Sequence, residues 1–428
     1  MHIKNFDPYD FSKKEIDGVS VYYKNLPWAP CIHIRMDFSV GAFNDPVGKE
    51  GLSHFLEHII GNGCPSLPDK KAIKEFSRLY MLNSRNAMTS HYWTSYVGRC
   101  LPEHFEKVLL AMKDYVFNPF VRTEDIEHER KVITQEAWGR YKNDKFLNYV
   151  KEVSENVYHG HERSRIASPL GWPDTIEKIT QKDVADFHKN KYVKENLSIF
   201  LVGDIDDKKI MDIVLKTIDS LPSGPKINAY GGKVNKPKQL RLQKNSAEIG
   251  NPQEQLQFSI LRATNELAEE ENEIIDQSRM LLYDVLFERL RIENSLCYGV
   301  SIQCSRQRDY SEIEISVNTS EDKVGTVEKE IWNVINEIID GKWKERFSTL
   351  HSLAIDQINS KERSSDFIIQ VASNELSVND RIIKLEEILS DAKKVTYENV
   401  SNMLKKVFDK DFVFTEIILP SKKSSITS

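Results

Sequence analysis

The apolar and polar positions of the chain fall into two successive series of strand-like and helix-like stretches. Val19 to Lys24 is dense in β-branched and aromatic residues, and Cys31 to Val40 alternates apolar and polar side chains, so both read as strands around a Pro27-Trp28-Ala29-Pro30 turn. Leu52 to Ile60 has no proline or glycine and is apolar nearly all round, which predicts a short buried helix ended by Gly61. A helix over Lys70 to Tyr80 and a strand within Asn83 to Tyr96 follow. Helices are expected over Pro102 to Phe117, from Thr123 to about Asn143, and around Asp183 to Tyr192. The run Leu197 to Asp204 reads as a buried strand, and Asp207 to Ser220 as the helix that closes the series.

Proline, glycine and lysine then concentrate between residues 222 and 245, the best linker in the chain. The style of the first series returns beyond it. Strands are expected near Glu254 to Arg262, Tyr298 to Cys304, Glu312 to Asn318 and Phe412 to Leu419. Helices are expected over Glu270 to Ile292, Lys323 to Ile339, Lys344 to Asn359, Asp380 to Leu389 and Tyr397 to Val407. The pattern gives an α+β protein of two domains with similar layout: residues 1–221, a linker over 222–245, and residues 246–428.

Composition narrows the function. At 428 residues the chain exceeds one ordinary core, and its net charge of −6 argues against a nucleic-acid binder. The first residues hold no apolar run of signal-peptide length, and no stretch is apolar and long enough to span a membrane. Five cysteines, odd in number and without a Cys-x-x-Cys pair, read as free thiols in a reducing compartment, so a cytoplasmic location is expected.

The chemistry concentrates in the short helix. His54, Glu57 and His58 fall within an arc of roughly 100° on one face of it. Polar groups on a buried helix cost several kcal/mol unless partnered, and a divalent cation shared by two imidazoles at i and i+4 is one such partner. Hydrogen-bonded core histidines are the plainer reading, and a third ligand separates the two. Glu129 and Glu136, seven residues apart on one face of the helix beginning at Thr123, are candidates. Glu136 would complete a His2-Glu set with its fourth position open to water, and Glu129 could support a ligand or the substrate. Taken alone, two glutamates in so charged a stretch more often form a solvated face.

In combination these residues resemble the pitrilysin, or insulinase-like, M16 zinc peptidases, which include the mitochondrial processing peptidases and bacterial relatives. That family carries His-x-x-Glu-His, then a glutamate some seventy-five residues on with another seven before it. His54, Glu57, His58, Glu129 and Glu136 match, as does the run-in Val40 to Asp45. The resemblance implies two tandem α/β-sandwich domains, each a mixed, mostly antiparallel sheet covered by helices. It also implies one zinc ion per chain on His54, His58 and Glu136, with Glu57 as general base and Glu129 behind the ligands.

Two further runs carry the likeness. Asn86 and Ala87 match the family's edge strand, which pairs with the substrate backbone; on composition alone the stretch is a plain hairpin strand. Arg291 and Tyr298 match an Arg/Tyr run that binds substrate and steadies the tetrahedral intermediate, although Ile292 and Ser295 stand where the family has Glu and Gly. By spacing alone, such an Arg and Tyr are more often a surface charge and a packed ring. His33 reads as a sheet-face histidine and His91 as a surface or loop residue. The resemblance implies extended peptide substrates, or leader sequences, hydrolysed in a chamber closed by a homodimer or by a heterodimer with a related subunit. An inactive scaffold subunit is the competing reading, against which stand the intact His54, Glu57, His58 and Glu136.

Overall fold

The first sheet has six strands: β1 (Ser12–Ile16), β2 (Val19–Asn25), β3 (Ile32–Phe38), β4 (Asn86–Thr89), β5 (Thr94–Cys100) and β6 (Leu197–Gly203). They lie in the order β1-β2-β6-β3-β5-β4, with β2 and β6 parallel and every other neighbour antiparallel. The second sheet has five: β7 (Arg241–Asn245), β8 (Leu256–Thr264), β9 (Val300–Arg306), β10 (Ser311–Thr319) and β11 (Phe414–Leu419), in the order β7-β11-β8-β10-β9. Here β7 and β11 are the parallel pair. Removing β1 leaves the two orders superimposable strand for strand, β2-β6-β3-β5-β4 on β7-β11-β8-β10-β9. Both are mixed, mostly antiparallel sheets with helices, as expected for two α+β domains of similar layout.

The computed structural model describes residues 6–421 apart from 206, 228–229, 266 and 361–363. These fall into two compact units. One comprises Met1–Arg140, Ile166–Tyr230 and Glu362–Leu385, the other Tyr141–Arg165, Gly231–Lys361 and Glu386–Ser428. The chain thus passes between units several times, once inside the Pro/Gly-rich stretch at Tyr230–Gly231.

In the first unit, α1 (Leu52–Ile60) and α2 (Lys70–Tyr80) connect β3 to β4, and α3 (Phe105–Phe117) and α4 (Thr123–Tyr141) follow β5. Asp69 caps α2 by accepting from the Ala72 backbone N–H. Strand β3 is buried on both faces. Its alternation of His33, Arg35 and Asp37 would suit a wetted face, but the helix Ser365–Asn379 covers it. His33 Nδ1 lies 2.6 Å from Asp366, and Arg35 Nε lies 2.7 Å from Asp37, which also accepts from the Ser373 hydroxyl.

That helix was not expected. The sequence pattern instead places a helix over Asp380 to Leu389, whereas Asp380, at φ +56°, ends the helix Ser365–Asn379 and the next begins at Leu385. Serine and β-branched residues make Ser365–Asn379 a poor helix by propensity; burial of Ile368, Ile369, Ala372 and Ser373 decides its state. Also unforeseen are α5 (Asp144–Val157), capped by Asn143 accepting from the Phe146 N–H, and the strands β1 and β7. The expected single strand within Asn83 to Tyr96 is the hairpin β4–β5, with His91 in its turn and the ring Nε2 3.1 Å from the Ile166 carbonyl.

The second unit packs the helices Asn272–Phe287, Val324–Ile339 and Tyr397–Val407 against its sheet through Leu281, Val285, Ile331, Val334, Val400 and Leu404. Between β8 and β9 the helix Asn272–Phe287 runs into a π-helical turn, Glu288–Glu293.

Candidate metal centre

Helix α1 is fixed at its start by backbone geometry and a borrowed carboxylate. Gly51 has φ +99°, and a Cβ there would meet the Leu170 carbonyl oxygen at 2.7 Å, so only glycine fits. Asp45 accepts from the Gly51 and Ser53 N–H groups at 2.8 and 2.9 Å, supplying the cap that α1 lacks locally. Phe55, Leu56, Ile59 and Ile60 are wholly buried, each contributing roughly 1.5–3 kcal/mol. With those four turned inward, the remaining arc carries His54, Glu57 and His58.

The two imidazoles stand edge to face, 4.7 Å between ring centres. Opposite them, α4 presents Glu136: its Oε2 lies 3.9 Å from His54 Nε2 and 3.6 Å from His58 Nε2. One ligand atom from each residue falls within 4.8 Å of the others. Two turns earlier on the same face of α4, Glu129 is 2% exposed, and its Oε2 lies 3.0 Å from His58 Nδ1. Its other oxygen accepts from Lys70 of α2. A solvated face is therefore excluded for Glu129, while Glu136 leaves its carboxylate half-exposed beside the histidines.

Burial and the neighbouring His58 push the His54 imidazole down to about 3, which keeps it neutral and able to donate a lone pair. Burial opposes charge on His58 as well, but the Glu129 hydrogen bond and the Glu136 and Glu57 charges outweigh it and raise its pKa. Burial likewise opposes ionisation of Glu129, yet His58 and Lys70 bring it to about 2. His54 Nδ1 is buried and, among the described residues, has no hydrogen-bond partner. Two imidazole nitrogens and one carboxylate converging in this way are the donor set of a catalytic zinc site with one open position. The residues fit such an ion.

Glu57 points into a cleft of ≈ 410 Å³ lined also by His58, Lys70, Lys74, Arg85, Asn86 and Ala87. Its Oε2 accepts from the Thr89 hydroxyl at 2.6 Å. Burial raises its pKa, helped by the Glu136 charge and resisted by Thr89, His58 and Arg85. Asn86 and Ala87, which line this cleft, belong to β4, the edge strand of its sheet among the described residues.

Arg291 and Tyr298 lie in the second unit. Arg291 lies within the π-helical turn with its guanidinium 5.6 Å from the Phe287 ring centre, and Tyr298 is 75% exposed just before the edge strand β9. Ser295 between them has φ +51°. Serine thus holds the left-handed conformation that glycine takes most easily.

Four contributors were given no role from the sequence: Asp45, Lys70, Thr89 and Arg85. Each reaches the site through tertiary structure, although Asp45 closes the run-in from Val40, Thr89 lies in the edge-strand segment with Asn86 and Ala87, and Lys70 begins the helix after α1.

Residues 20–168 match the family model described as Insulinase (Peptidase family M16), and residues 178–346 match that described as Peptidase M16 inactive domain. An uncharacterized zinc protease of Rickettsia felis is 26% identical over 404 residues, 92% of this chain and 93% of that protein. The zinc protease PqqE of Helicobacter pylori is 26% identical over 234 residues, 52% of this chain and 49% of the relative. Among solved structures, a protease from Helicobacter pylori aligns with a TM-score of 0.80 at 18% identity, covering 96% of this chain and 99% of that one. A peptidase M16 inactive domain from Pseudomonas fluorescens aligns with a TM-score of 0.82 at 16% identity, covering 96% and 98%. At these identities the structures speak for the fold.

Proposed function

This chain belongs to the M16, or insulinase, peptidase family, and we propose on that footing that it is a zinc metalloendopeptidase hydrolysing extended peptides. The observation that carries the proposal is the convergence of His54, His58 and Glu136 within 4.8 Å, with Glu57 on the same helical face.

Zinc held by His54, His58 and Glu136 would act as a Lewis acid, polarising the scissile carbonyl and making a water acidic enough to lose a proton near neutral pH. Glu57 takes that proton and returns one to the leaving amine as the C–N bond breaks, so water is consumed and an acid and an amine are released. Its raised pKa suits a group that must hold a proton briefly, and Thr89 fixes one of its oxygens. Glu129 accepts from His58 Nδ1, which leaves the Nε2 lone pair turned toward Glu136. The open edge of β4 pairs with the backbone of an extended peptide, a mode that tolerates many sequences.

The roles of Arg291 and Tyr298, binding substrate and donating to the oxyanion, rest on the family resemblance. So does assembly as a homodimer or with a related subunit around a chamber that admits extended chains. Trimming of leader sequences and degradation of short peptides both fall within this reading. A cytoplasmic location is part of the proposal, supported by five free thiols. The test is hydrolysis of internally quenched peptides by chelator-stripped protein before and after addition of one equivalent of zinc. Activity restored by zinc supports the proposal; a zinc-loaded protein that cleaves no peptide overturns it.

A further inference from the structure

The cleft beside Glu57 carries more positive charge than the proposed chemistry uses. Of its three cationic side chains, Lys70 is engaged by Glu129. Lys74, exposed on the next turn of α2, has no ion pair among the described residues. Arg85 is the more telling. It immediately precedes β4, is half-buried, and has no carboxylate within ion-pair distance among the described residues. Its guanidinium carbon sits 5.3 Å from the buried Tyr115 ring centre, and its Nε is buried without a hydrogen-bond partner. Gly61 leaves the room it occupies, since a Cβ there would stand 3.0 Å from Arg85 Nη2. A guanidinium positioned by a ring and a glycine, in the lining of a cleft and without a carboxylate partner among the described residues, is ready for a planar anion.

We propose that Arg85 and Lys74 form an acid-recognising subsite beside Glu57, which selects peptides bearing a carboxylate close to the scissile bond. The inference rests on the peptidase reading and adds a substrate class to it. The two carboxylates of the cleft are Glu57, which the reaction itself occupies, and Glu129, which is held by His58 and Lys70, so the complement to Arg85 comes with the substrate. Main-chain pairing along β4 ignores side-chain identity, and the Arg85/Lys74 pair restores a preference at one position. The carboxylate is an Asp or Glu side chain or the C-terminal carboxylate of the peptide; both offer the same two oxygens.

The experiment uses zinc-loaded full-length protein and matched peptides that differ at one position as Glu or Gln, each with a free or an amidated C-terminus. The ratio of kcat/KM for the acid over its amide is expected to be about tenfold in the native protein, from one charge-assisted hydrogen bond. If the side chain is read, the Glu/Gln ratio carries the effect; if the terminus is read, the free/amidated ratio does. Either ratio should fall toward one in Arg85→Gln and below one in Lys74→Glu. The Lys74 position is exposed, so its variant reads the subsite even if Arg85→Gln folds poorly. Ratios of one in the native protein, or ratios unmoved by both variants, overturn the inference. Should no peptide be cleaved, the peptidase reading fails separately, and fluorescence anisotropy of labelled acid and amide peptides on the same proteins still decides the subsite. Equal affinities for the two would refute it.

Discussion

The Nδ1 of His58 lies 3.0 Å from Oε2 of Glu129, a carboxylate that also holds Lys70 and is almost wholly buried. This contact sets which imidazole nitrogen faces Glu136. Glu129→Gln keeps the shape but weakens the acceptor, and zinc affinity should fall about 10- to 100-fold. Competition with a fluorescent chelator measures it. An unchanged affinity would reduce Glu129 to a packing role.

Glu57→Gln makes the opposite demand. Glu57 contacts Thr89 and does not join the ligand set, so zinc content should stay native while hydrolysis falls about 10²–10⁴-fold. Residual turnover near native in a zinc-loaded variant would remove Glu57 from proton transfer.

Glu129 also predicts a pH dependence of stability in the zinc-free protein. Its folded-state pKa, about 2, is below the ordinary 4.5, so the charged form is favoured by folding. The stabilisation is present above about pH 4.5 and is lost as pH falls toward 2. His58 is shifted the other way. Its raised value contributes stability below the ordinary 6.5 that is lost as pH rises through the folded-state pKa. Denaturant melts of native and Glu129→Gln protein in chelator should therefore differ most between these limits and converge in strong acid. Curves offset equally at every pH would refute the linkage.

Helix α1 was legible because its chemistry is local: the spacing of His54, Glu57 and His58 fixes one helical face, and four apolar neighbours fix the other. Glu129 and Glu136 share one face of one helix, but alone they read as a solvated face; their match to the family's spacing after His58 singled them out. What surrounds them was not legible. Asp45 caps α1 from six residues upstream, and Thr89 reaches Glu57 from a separate strand. Arg85 looks in sequence like any surface charge beside a turn. The helix Ser365–Asn379 failed to register because tertiary burial, and not propensity, makes it a helix. Its partners His33 and Asp37 lie more than three hundred residues away in the chain.

Tyr298→Phe removes one proposed oxyanion donor and should lower kcat on the order of 10²-fold with a smaller effect on KM. Mixing Tyr298→Phe with Glu57→Gln separates two modes of action once tagged chains have been seen to exchange. Recovered activity is expected if Tyr298 serves a second copy of the chain, since a hybrid pair then owns one intact set. No recovery after proven exchange would place both groups in one chain's own site.

The ligand set is the claim on which the account rests, and metal content tests it most directly. Elemental analysis of protein purified without chelator should give about one zinc per chain, with His58→Ala and Glu136→Gln each losing most of it while retaining the native circular dichroism. Full zinc in either folded variant, or none in the native protein after reconstitution, would contradict the assignment of His54, His58 and Glu136 as a metal centre.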